Sequence, residues 1–255
     1  EDRQQVRRWC DDFAFVALNY YTQMTDEQVE SALASMAAFR EYLQRRVAQL
    51  EAQPQQNLLH ALIEAEHDGE RLTMEELLAN TFLLLSAGNE TTTCLLGNGL
   101  AALLQHPEQL RRLRDDPDLI PSAVEEFLRF DSPVQGLFRS NPAPSVVAGT
   151  EVPAGSRLQV LFASANRDDA VWDAPDEIRL DRFGAGARPH LAFGWGVHHC
   201  IGNALARREG ELALRWIIER FDTVERTGPV AVNEPFILRG LTTLPIRWTV
   251  RQSQR

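Results

Sequence analysis

Apolar spacing in the first half of the chain is typical of helices. Between Asp2 and Asn19, apolar side chains recur every three or four residues, which is the period of one helix face. The same spacing predicts a second helix that begins at Thr25-Asp26 and ends near Gln53-Pro54. A shorter helix is predicted from Asn57 to His67, where the turn pair Asp68-Gly69 stops it.

The longest predicted helix begins at a capping box. In this box the Thr73 hydroxyl and the Glu76 carboxylate can satisfy free amide hydrogens of the first helical turn. The apolar pattern continues to about Gln105, far beyond the mean helix length of about 11–12 residues. Two shorter helices are predicted to begin at Pro107 and Pro121, because proline suits the first helical position.

Helical spacing ends at Ser132-Pro133, and short strand-like runs follow. These runs lie within Val146–Ala165 and are broken by Gly149 and by Pro153-Ala154-Gly155. The stretch from Asn166 to Arg188 is rich in proline, aspartate and glycine, which predicts a loop.

The chain is predicted to close with a helix and two strand-like pieces. The helix runs from Gly202 to about Phe221, and the strand-like pieces are Phe236–Leu238 and Pro245–Val250. No internal repeat, low-complexity tract or linker interrupts the sequence. We therefore expect a single domain over residues 1–255, mainly α with small β-sheets.

Composition and charge narrow the class of protein. The 255 residues are 44% hydrophobic and 24% charged, which is typical of a globular protein and not of a disordered one. All 26 basic residues are arginine, and 36 acidic residues give a net charge of −10. Because non-specific binding to phosphates needs a surplus of cations, nucleic acid is not expected as a partner.

The cysteines and the apolar segments of the sequence indicate the cellular compartment of the protein. Cys10, Cys94 and Cys200 lie far apart and are odd in number, so a reducing environment is favoured over a disulfide framework. The charged start of the chain does not resemble a signal peptide. Polar residues and glycines interrupt the most apolar stretch, Leu77–Leu104, so no membrane span is expected. The chain is expected to be cytoplasmic.

The segment from Phe193 to Gly202 carries the first chemical feature. Glycines ahead of Cys200 allow a tight turn and a close approach to a flat ligand. Because Cys200 precedes a predicted helix, the amide hydrogens of that helix favour a thiolate, which could be an axial metal ligand. From these residues alone, an inert buried cysteine is the more common explanation. Zinc is disfavoured, since His198, His199 and Cys200 are adjacent and project in different directions.

Three further features stand out. Ala87-Gly88-Asn89-Glu90-Thr91 places a glycine, an acid and a hydroxyl inside the long helix, where a ligand could approach and protons could pass inward. A helix with one polar face explains the same residues. Glu126 and Arg129 are three residues apart, so they meet on one helix face, although a surface ion pair has the same spacing. Arg139 follows an apolar run and could reach an anionic group, or could simply be solvated.

In their order and spacing, these features resemble the carboxy-terminal part of bacterial cytochrome P-450 enzymes, which are haem-thiolate monooxygenases. Residues Phe193–Gly202 match every fixed position of the family's cysteine signature, F-x-x-G-x-H-x-C-x-G. Ala87–Thr91 resembles its acid–alcohol motif, and Glu126–Arg129 resembles its E-x-x-R motif. Asn166-Arg167-Asp168 is similar to part of its A-N-R-D stretch. The resemblance covers essentially all 255 residues, and it implies the cytochrome P-450 fold, amino-terminally truncated.

This resemblance implies a role for each matching residue. Cys200 would be the iron ligand of haem b, and Phe193 would pack near its sulfur. Gly202 would be a further cofactor-binding residue, and His198 and Arg139 would bind the haem propionates. Glu90 and Thr91 would be the catalytic proton relay. Glu126, Arg129 and Arg182 would form a structural network. The residues expected to contact substrate are Leu84, Ala87, Gly88, Val134, Leu137 and Leu238.

The resemblance also implies a reaction and its partners. The enzyme would activate dioxygen and insert one oxygen atom into a small lipophilic substrate. Electrons would come from a ferredoxin- or flavodoxin-type protein docking over the Cys200 face, where Arg207 and Arg208 are either contacts or solvated charges. Coupling or desaturation by a haem-thiolate enzyme would involve the same motifs. The non-enzymatic alternative is an inactive chain with incomplete haem binding.

Overall fold

The computed structural model describes residues 2–19, 24–67, 69–233 and 237–251. Helix makes up 54% of the described residues, and their strands form only small sheets, so the mainly α expectation is confirmed. Contacts between Cα atoms divide the chain into two compact units, residues 1–90 and residues 91–255. The boundary between the units falls inside the longest helix.

The described residues form eight α-helices. These are α1 (Asp2–Asn19), α2 (Asp26–Ala52), α3 (Leu58–Glu64), α4 (Met74–Gln105), α5 (Pro107–Asp115), α6 (Ile120–Phe130), α7 (Phe162–Ala165) and α8 (Asn203–Arg220). Short 3-10 turns cover Pro117–Leu119 and Gly196–His198. The long helices agree closely with the apolar periodicity, so their positions were correctly predicted.

Ten short strands pair as antiparallel two-stranded sheets within the described residues. The strands are β1 (Glu66–His67), β2 (Glu70–Arg71), β3 (Leu137–Ser140), β4 (Ser145–Val147), β5 (Thr150–Val152), β6 (Arg157–Val160), β7 (Phe221–Arg226), β8 (Ala231–Val232), β9 (Leu241–Thr243) and β10 (Ile246–Val250). The pairs are β1 with β2, β3 with β6, β4 with β5, β7 with β10, and β8 with β9.

Helices α2 and α4, which both begin in the first unit, start at capping boxes. At α4 the Thr73 amide donates to Glu76 Oε2 at 2.8 Å, and the Glu76 amide donates to Thr73 Oγ1 at 3.3 Å, as predicted. Thr25 and Gln28 make the equivalent pair of bonds at α2. A small aromatic cluster then holds the unit together, with the Trp9 and Phe39 rings stacked at 5.3 Å.

The second unit has the larger apolar core. Its buried side chains come from the carboxy-terminal half of α4 and from α5, α6 and α8, and include Leu95, Leu103, Leu113, Val124 and Leu214. Glycines allow the helices to approach closely, because an added Cβ at Gly99 would lie 2.5 Å from Phe127 Cδ2. The residues of α6 are therefore held tightly between two neighbouring helices.

Several predicted boundaries were wrong. The third helix ends at Glu64 and not at His67, because β1 and β2 pair as antiparallel strands, and Gly69 has a φ of +82°. Asp68, the other residue of the predicted turn pair, lies outside the described residues. The end of the predicted strand region folds as α7, and no strand covers Leu238, which forms only an isolated bridge. Phe236 lies outside the described residues.

Candidate functional site

The loop before α8 is closed on itself by one backbone hydrogen bond. Gly194 and Gly196 have φ values of +70° and +76°, the left-handed region that favours glycine. These turns bring the Cys200 N–H to the Phe193 carbonyl oxygen, to which it donates at 2.9 Å. Both ends of the loop are therefore fixed to each other, and Cys200 is only partly buried.

The carboxyl side of Cys200 is tied to the first residues of α8. The Asn203 side-chain amide donates to the Cys200 carbonyl oxygen at 2.6 Å. Gly202 is the N-cap residue, and a Cβ built on it would lie 3.9 Å from Cys200 Sγ. Gly202 therefore lies close to the sulfur, and its binding to a cofactor stays a prediction.

The donor set at Cys200 fits a haem better than a zinc ion. Within the described ranges, no three His, Cys, Asp or Glu side chains come together as a metal cluster. Structural zinc takes four protein ligands, whereas haem iron already has four nitrogens from the porphyrin and needs one axial ligand. Around Cys200, Trp195, Val197 and Ile201 are 69%, 98% and 88% exposed, an apolar surround that suits a flat apolar group.

The predicted propionate partners are both at the surface. His198 ends the 3-10 turn that precedes Cys200, and its side chain is exposed. Arg139 lies on β3 opposite Leu158, and its guanidinium donates to the Phe138 carbonyl oxygen at 2.9 Å. Their binding to propionates stays a prediction.

Glu126, Arg129 and Arg182 come together in the second unit. Arg129 and Glu126 are both fully buried, and the guanidinium donates to the two carboxylate oxygens at 2.8 and 2.9 Å. Arg182 Nε adds contacts of 3.2 and 3.1 Å to the same carboxylate. This is a buried, bidentate pair with a third partner, and not the surface ion pair that spacing alone also allowed.

Backbone groups complete this buried network. The Arg179 amide donates to Glu126 Oε1 at 2.8 Å. Arg129 donates to three carbonyl oxygens, those of Asn166, Pro175 and Glu177. The buried charges of Glu126 and Arg129 are therefore compensated by several hydrogen bonds. The same bonds connect the segment around residues 173–182 to α6.

The acid–alcohol motif lies in regular α-helix. Residues 87–91 are all helical in α4, so no local bulge opens there. Burial raises the pKa of Glu90, and the nearby Asp11 carboxylate raises it further. Leu84, Ala87 and Gly88 share one face of α4, and an added Cβ at Gly88 would meet nothing within 4 Å.

Two predicted substrate contacts from distant parts of the chain are neighbours. Val134 forms a bridge with Leu238, flanked by a hydrogen bond of 2.8 Å from the Gln135 amide to the Ile237 carbonyl oxygen. Leu238 is buried, and Leu137 is 40% exposed at the start of β3. Contact of these residues with a substrate stays a prediction.

Sequence reasoning missed a second carboxylate network, next to the first. Arg207 Nε lies 2.6 Å from Glu125 Oε1, and Arg207 Nη2 lies 3.1 Å from Glu125 Oε2. The buried His190 places Nε2 3.2 Å from Glu125 Oε2. Burial alone would raise the pKa of Glu125, but the hydrogen bonds and the charge of Arg207, together with the neighbouring His190, outweigh it and lower the pKa to about 2.

A partly buried thiol on a glycine loop, ahead of a helix, could serve as the one protein ligand of a haem iron. The sequence profile described as "Cytochrome P450" matches residues 4–250. The chain therefore belongs to the cytochrome P450 family, and the resemblance seen in its motifs is confirmed.

Curated bacterial relatives agree with this assignment. The cytochrome P450 monooxygenase PikC of Streptomyces venezuelae is 39% identical over 252 residues, which is 97% of this chain and 58% of that protein. A vitamin D(3) 25-hydroxylase of Pseudonocardia autotrophica is 39% identical over 251 residues, 96% of this chain and 59% of that protein. The chain thus spans a little under 60% of the length of these two relatives.

Solved structures show the same fold. The cytochrome P450 CYP109Q5 of Chondromyces apiculatus is 38% identical and superposes with a TM-score of 0.86, over 98% of this chain and 60% of that one. The cytochrome P450 TbtJ1, at 33% identity, gives a TM-score of 0.89 over 97% of this chain and 64% of that one. Among the described residues, no helix is long and apolar enough to cross a membrane.

Proposed function

We propose that this chain carries the haem-thiolate centre of a monooxygenase that inserts one oxygen atom from dioxygen into a small lipophilic substrate. The observation that carries the proposal is the closed glycine loop, which presents one partly buried thiol ahead of α8. We propose further that the chain works as a single haem-binding domain in the cytoplasm.

The residues of the loop are those that would hold haem b. Cys200 would supply a sulfur ligand to the iron, while Gly202, lacking a side chain, leaves the sulfur accessible. Phe193 would pack beside the sulfur, and His198 and Arg139 would bind the propionates. When bound, haem with a thiolate ligand supplies the electron donation that favours cleavage of the O–O bond.

Glu90 and Thr91 would deliver the protons that the reaction consumes. Burial and the Asp11 charge raise the pKa of Glu90, so its carboxyl group holds a proton at a higher pH than an exposed glutamate does. The Thr91 hydroxyl, next in α4, can accept that proton and donate its own inward. The pair would thus act as a relay from solvent.

The expected substrate surface is apolar. It comprises Leu84, Ala87, Gly88, Val134, Leu137 and Leu238. Relatives named vitamin D(3) 25-hydroxylase and steroid C26-monooxygenase support a lipophilic substrate. A ferredoxin- or flavodoxin-type protein would supply electrons at the Cys200 face.

Haem ligation is the direct test of this proposal. The chain is expressed with haem supplied, reduced and exposed to carbon monoxide, and the difference spectrum is recorded for wild type and Cys200→Ala. We expect a strongly red-shifted Soret band in the wild type and its loss in the variant, because only a thiolate ligand produces that shift. His199→Ala, which changes the neighbouring side chain, is the control and should keep the band.

Two results would contradict the proposal. One is a wild-type chain that takes up no haem or shows only the band of a neutral ligand. The other is a red-shifted band that persists in Cys200→Ala.

A further inference from the structure

Arg207 occupies a central place behind the cysteine loop. It lies in α8, seven residues after Cys200, and its side chain is only 34% exposed. The next residue, Arg208, is 66% exposed and pairs with Glu211 at 3.2 Å. The two arginines therefore differ in environment although they are adjacent in sequence.

We infer that Arg207, held by Glu125, is a positioning residue that fixes Cys200 from both sides. This inference rests on the proposed function of Cys200 as a haem ligand. It assigns to Glu125, His190 and Arg207 a role that none of the sequence motifs carries.

Arg207 is anchored to α6 by the Glu125 carboxylate. Both guanidinium contacts to the Glu125 carboxylate are within hydrogen-bond distance, so the fork is held in one orientation. The same carboxylate faces His190, whose Nδ1 accepts a hydrogen bond from the Ala192 amide at 3.1 Å. Acceptance at Nδ1 leaves the His190 proton on Nε2, which faces Glu125.

On the amino side of Cys200, Arg207 acts through Phe193. Arg207 Cζ lies 4.6 Å from the centroid of the Phe193 ring, and the His190 ring lies 5.6 Å from it. The guanidinium and the imidazole thus hold Phe193, whose carbonyl oxygen accepts the hydrogen bond from the Cys200 amide. Movement of the Phe193 ring would disturb that bond.

On the carboxyl side of Cys200, Arg207 acts through Asn203. Arg207 Nη1 donates to Asn203 Oδ1 at 2.5 Å, and Asn203 Nδ2 donates to the Cys200 carbonyl oxygen at 2.6 Å. One guanidinium therefore acts on Cys200 through two independent routes, Phe193 and Asn203. Neither route is available to Arg208, which faces solvent.

The test compares two neighbouring arginines. Reaction of Cys200 with a small maleimide is timed in the full chain without added haem, for wild type, Arg207→Leu and the matched control Arg208→Leu. Cys10 and Cys94 are buried and serve as internal references. The carbon monoxide difference spectrum of the haem-loaded chain is recorded for the same variants.

We expect Arg207→Leu to raise the reaction rate of Cys200 about tenfold, which corresponds to about 1.4 kcal/mol, on the scale of one hydrogen bond to a charged group. The haem-loaded variant should lose part of its thiolate-type band. Arg208→Leu should match the wild type in both measurements. Arg207→Lys should remain impaired, because an ammonium group lacks the planar fork.

If Arg207→Leu does not fold, Glu125→Gln takes its place, since it leaves the guanidinium without its anchoring charge. Equal Cys200 rates in Arg207→Leu and Arg208→Leu would overturn the inference. So would a parallel rise at Cys10 and Cys94, because that indicates general loosening. A wild-type chain without the thiolate band contradicts the proposed function, while the maleimide rates still decide whether Arg207 positions Cys200.

Discussion

Neighbouring glutamates on α6 serve different parts of the molecule. The Glu126 carboxylate is fully buried and binds Arg129 and Arg182, which hold the segment around residues 173–182. The Glu125 carboxylate is less buried and binds Arg207 and His190, which flank the cysteine loop. Successive residues in a helix point about 100° apart, so one helix can reach both neighbours.

Removal of the Glu125 charge should make stability depend differently on pH. The pKa of Glu125 is lowered to about 2, so its contribution is complete above the unfolded-state value and is lost as the pH falls towards 2. We expect Glu125→Gln to lower the free energy of unfolding by about 3 kcal/mol near pH 7, a difference that shrinks between about pH 4.5 and 2. Urea unfolding of wild type and Glu125→Gln at a series of pH values measures this difference in the free energy of unfolding.

The control for this experiment is an exposed carboxylate on α8. Glu209→Gln should change the free energy of unfolding by no more than about 0.5 kcal/mol, the range for surface substitutions. A difference between wild type and Glu125→Gln that stays constant from neutral pH to pH 2 would show that the ion pairs of Glu125 do not stabilise the fold.

At the scale of elements, the glycines of α4 are not equivalent. An added Cβ at Gly99 would lie 2.5 Å from the Phe127 ring on α6, whereas one at Gly88 would meet nothing within 4 Å. We expect Gly99→Ala to destabilise the fold by about 1–3 kcal/mol through overpacking. Gly88→Ala is the matched control and should stabilise it by up to about 1 kcal/mol, the gain in helix propensity.

Thermal or urea unfolding of the two variants decides the point. If both substitutions stabilise the chain equally, the close approach of α4 to α6 is not a constraint on the fold. Neither variant needs haem for this measurement, so the result is independent of the proposed activity.

Local sequence patterns predicted the long helices and the strand-like runs that contain β4, β5, β6 and β10, but not which strands pair. Helices α1, α2 and α4 are long and amphipathic or capped, and each is recognisable from side chains within three or four residues of one another. Strands β3 and β7 were not predicted, and each pairs with a strand that is not the next one along the chain, β6 and β10 respectively. A pairing of that kind has no local signature, and the helix α7 likewise lies within a run of β-forming residues.

The candidate site was predictable to a similar extent. Cys200 and the pair Glu126–Arg129 lie in compact motifs, so sequence spacing points to them directly. Arg207 and Glu125 are 82 residues apart, and each has an ordinary charged neighbour, so nothing in the sequence indicates that they meet. Such contacts depend on how α6 and α8 pack, which only the structure provides.

At the scale of the whole molecule, the proposed catalysis would need both the Cys200 thiolate and the proton relay of Glu90 and Thr91. The relay can be tested with an electron donor and a substrate that the wild type oxidises. We expect Thr91→Ala to lower coupled turnover by about 100-fold, the lower end of the range for general acid–base catalysis, with the carbon monoxide spectrum unchanged. Product formed per NAD(P)H consumed is the quantity measured.

Thr93→Ala, two residues further along α4, is the control for that measurement. Its side chain is exposed, and its coupled turnover should equal that of the wild type. Unchanged coupling in Thr91→Ala would remove the hydroxyl from the proposed relay.

The two carboxylate networks also define a place for protein engineering. Residues 184–189 are exposed, while Arg182 before them and His190 after them are both fastened to α6. Because the ends of this loop are fixed independently, lengthening it costs only a small amount of closure entropy. A peptide epitope or a reporter grafted there would be displayed near the cysteine loop, whose own hydrogen bonds keep its conformation.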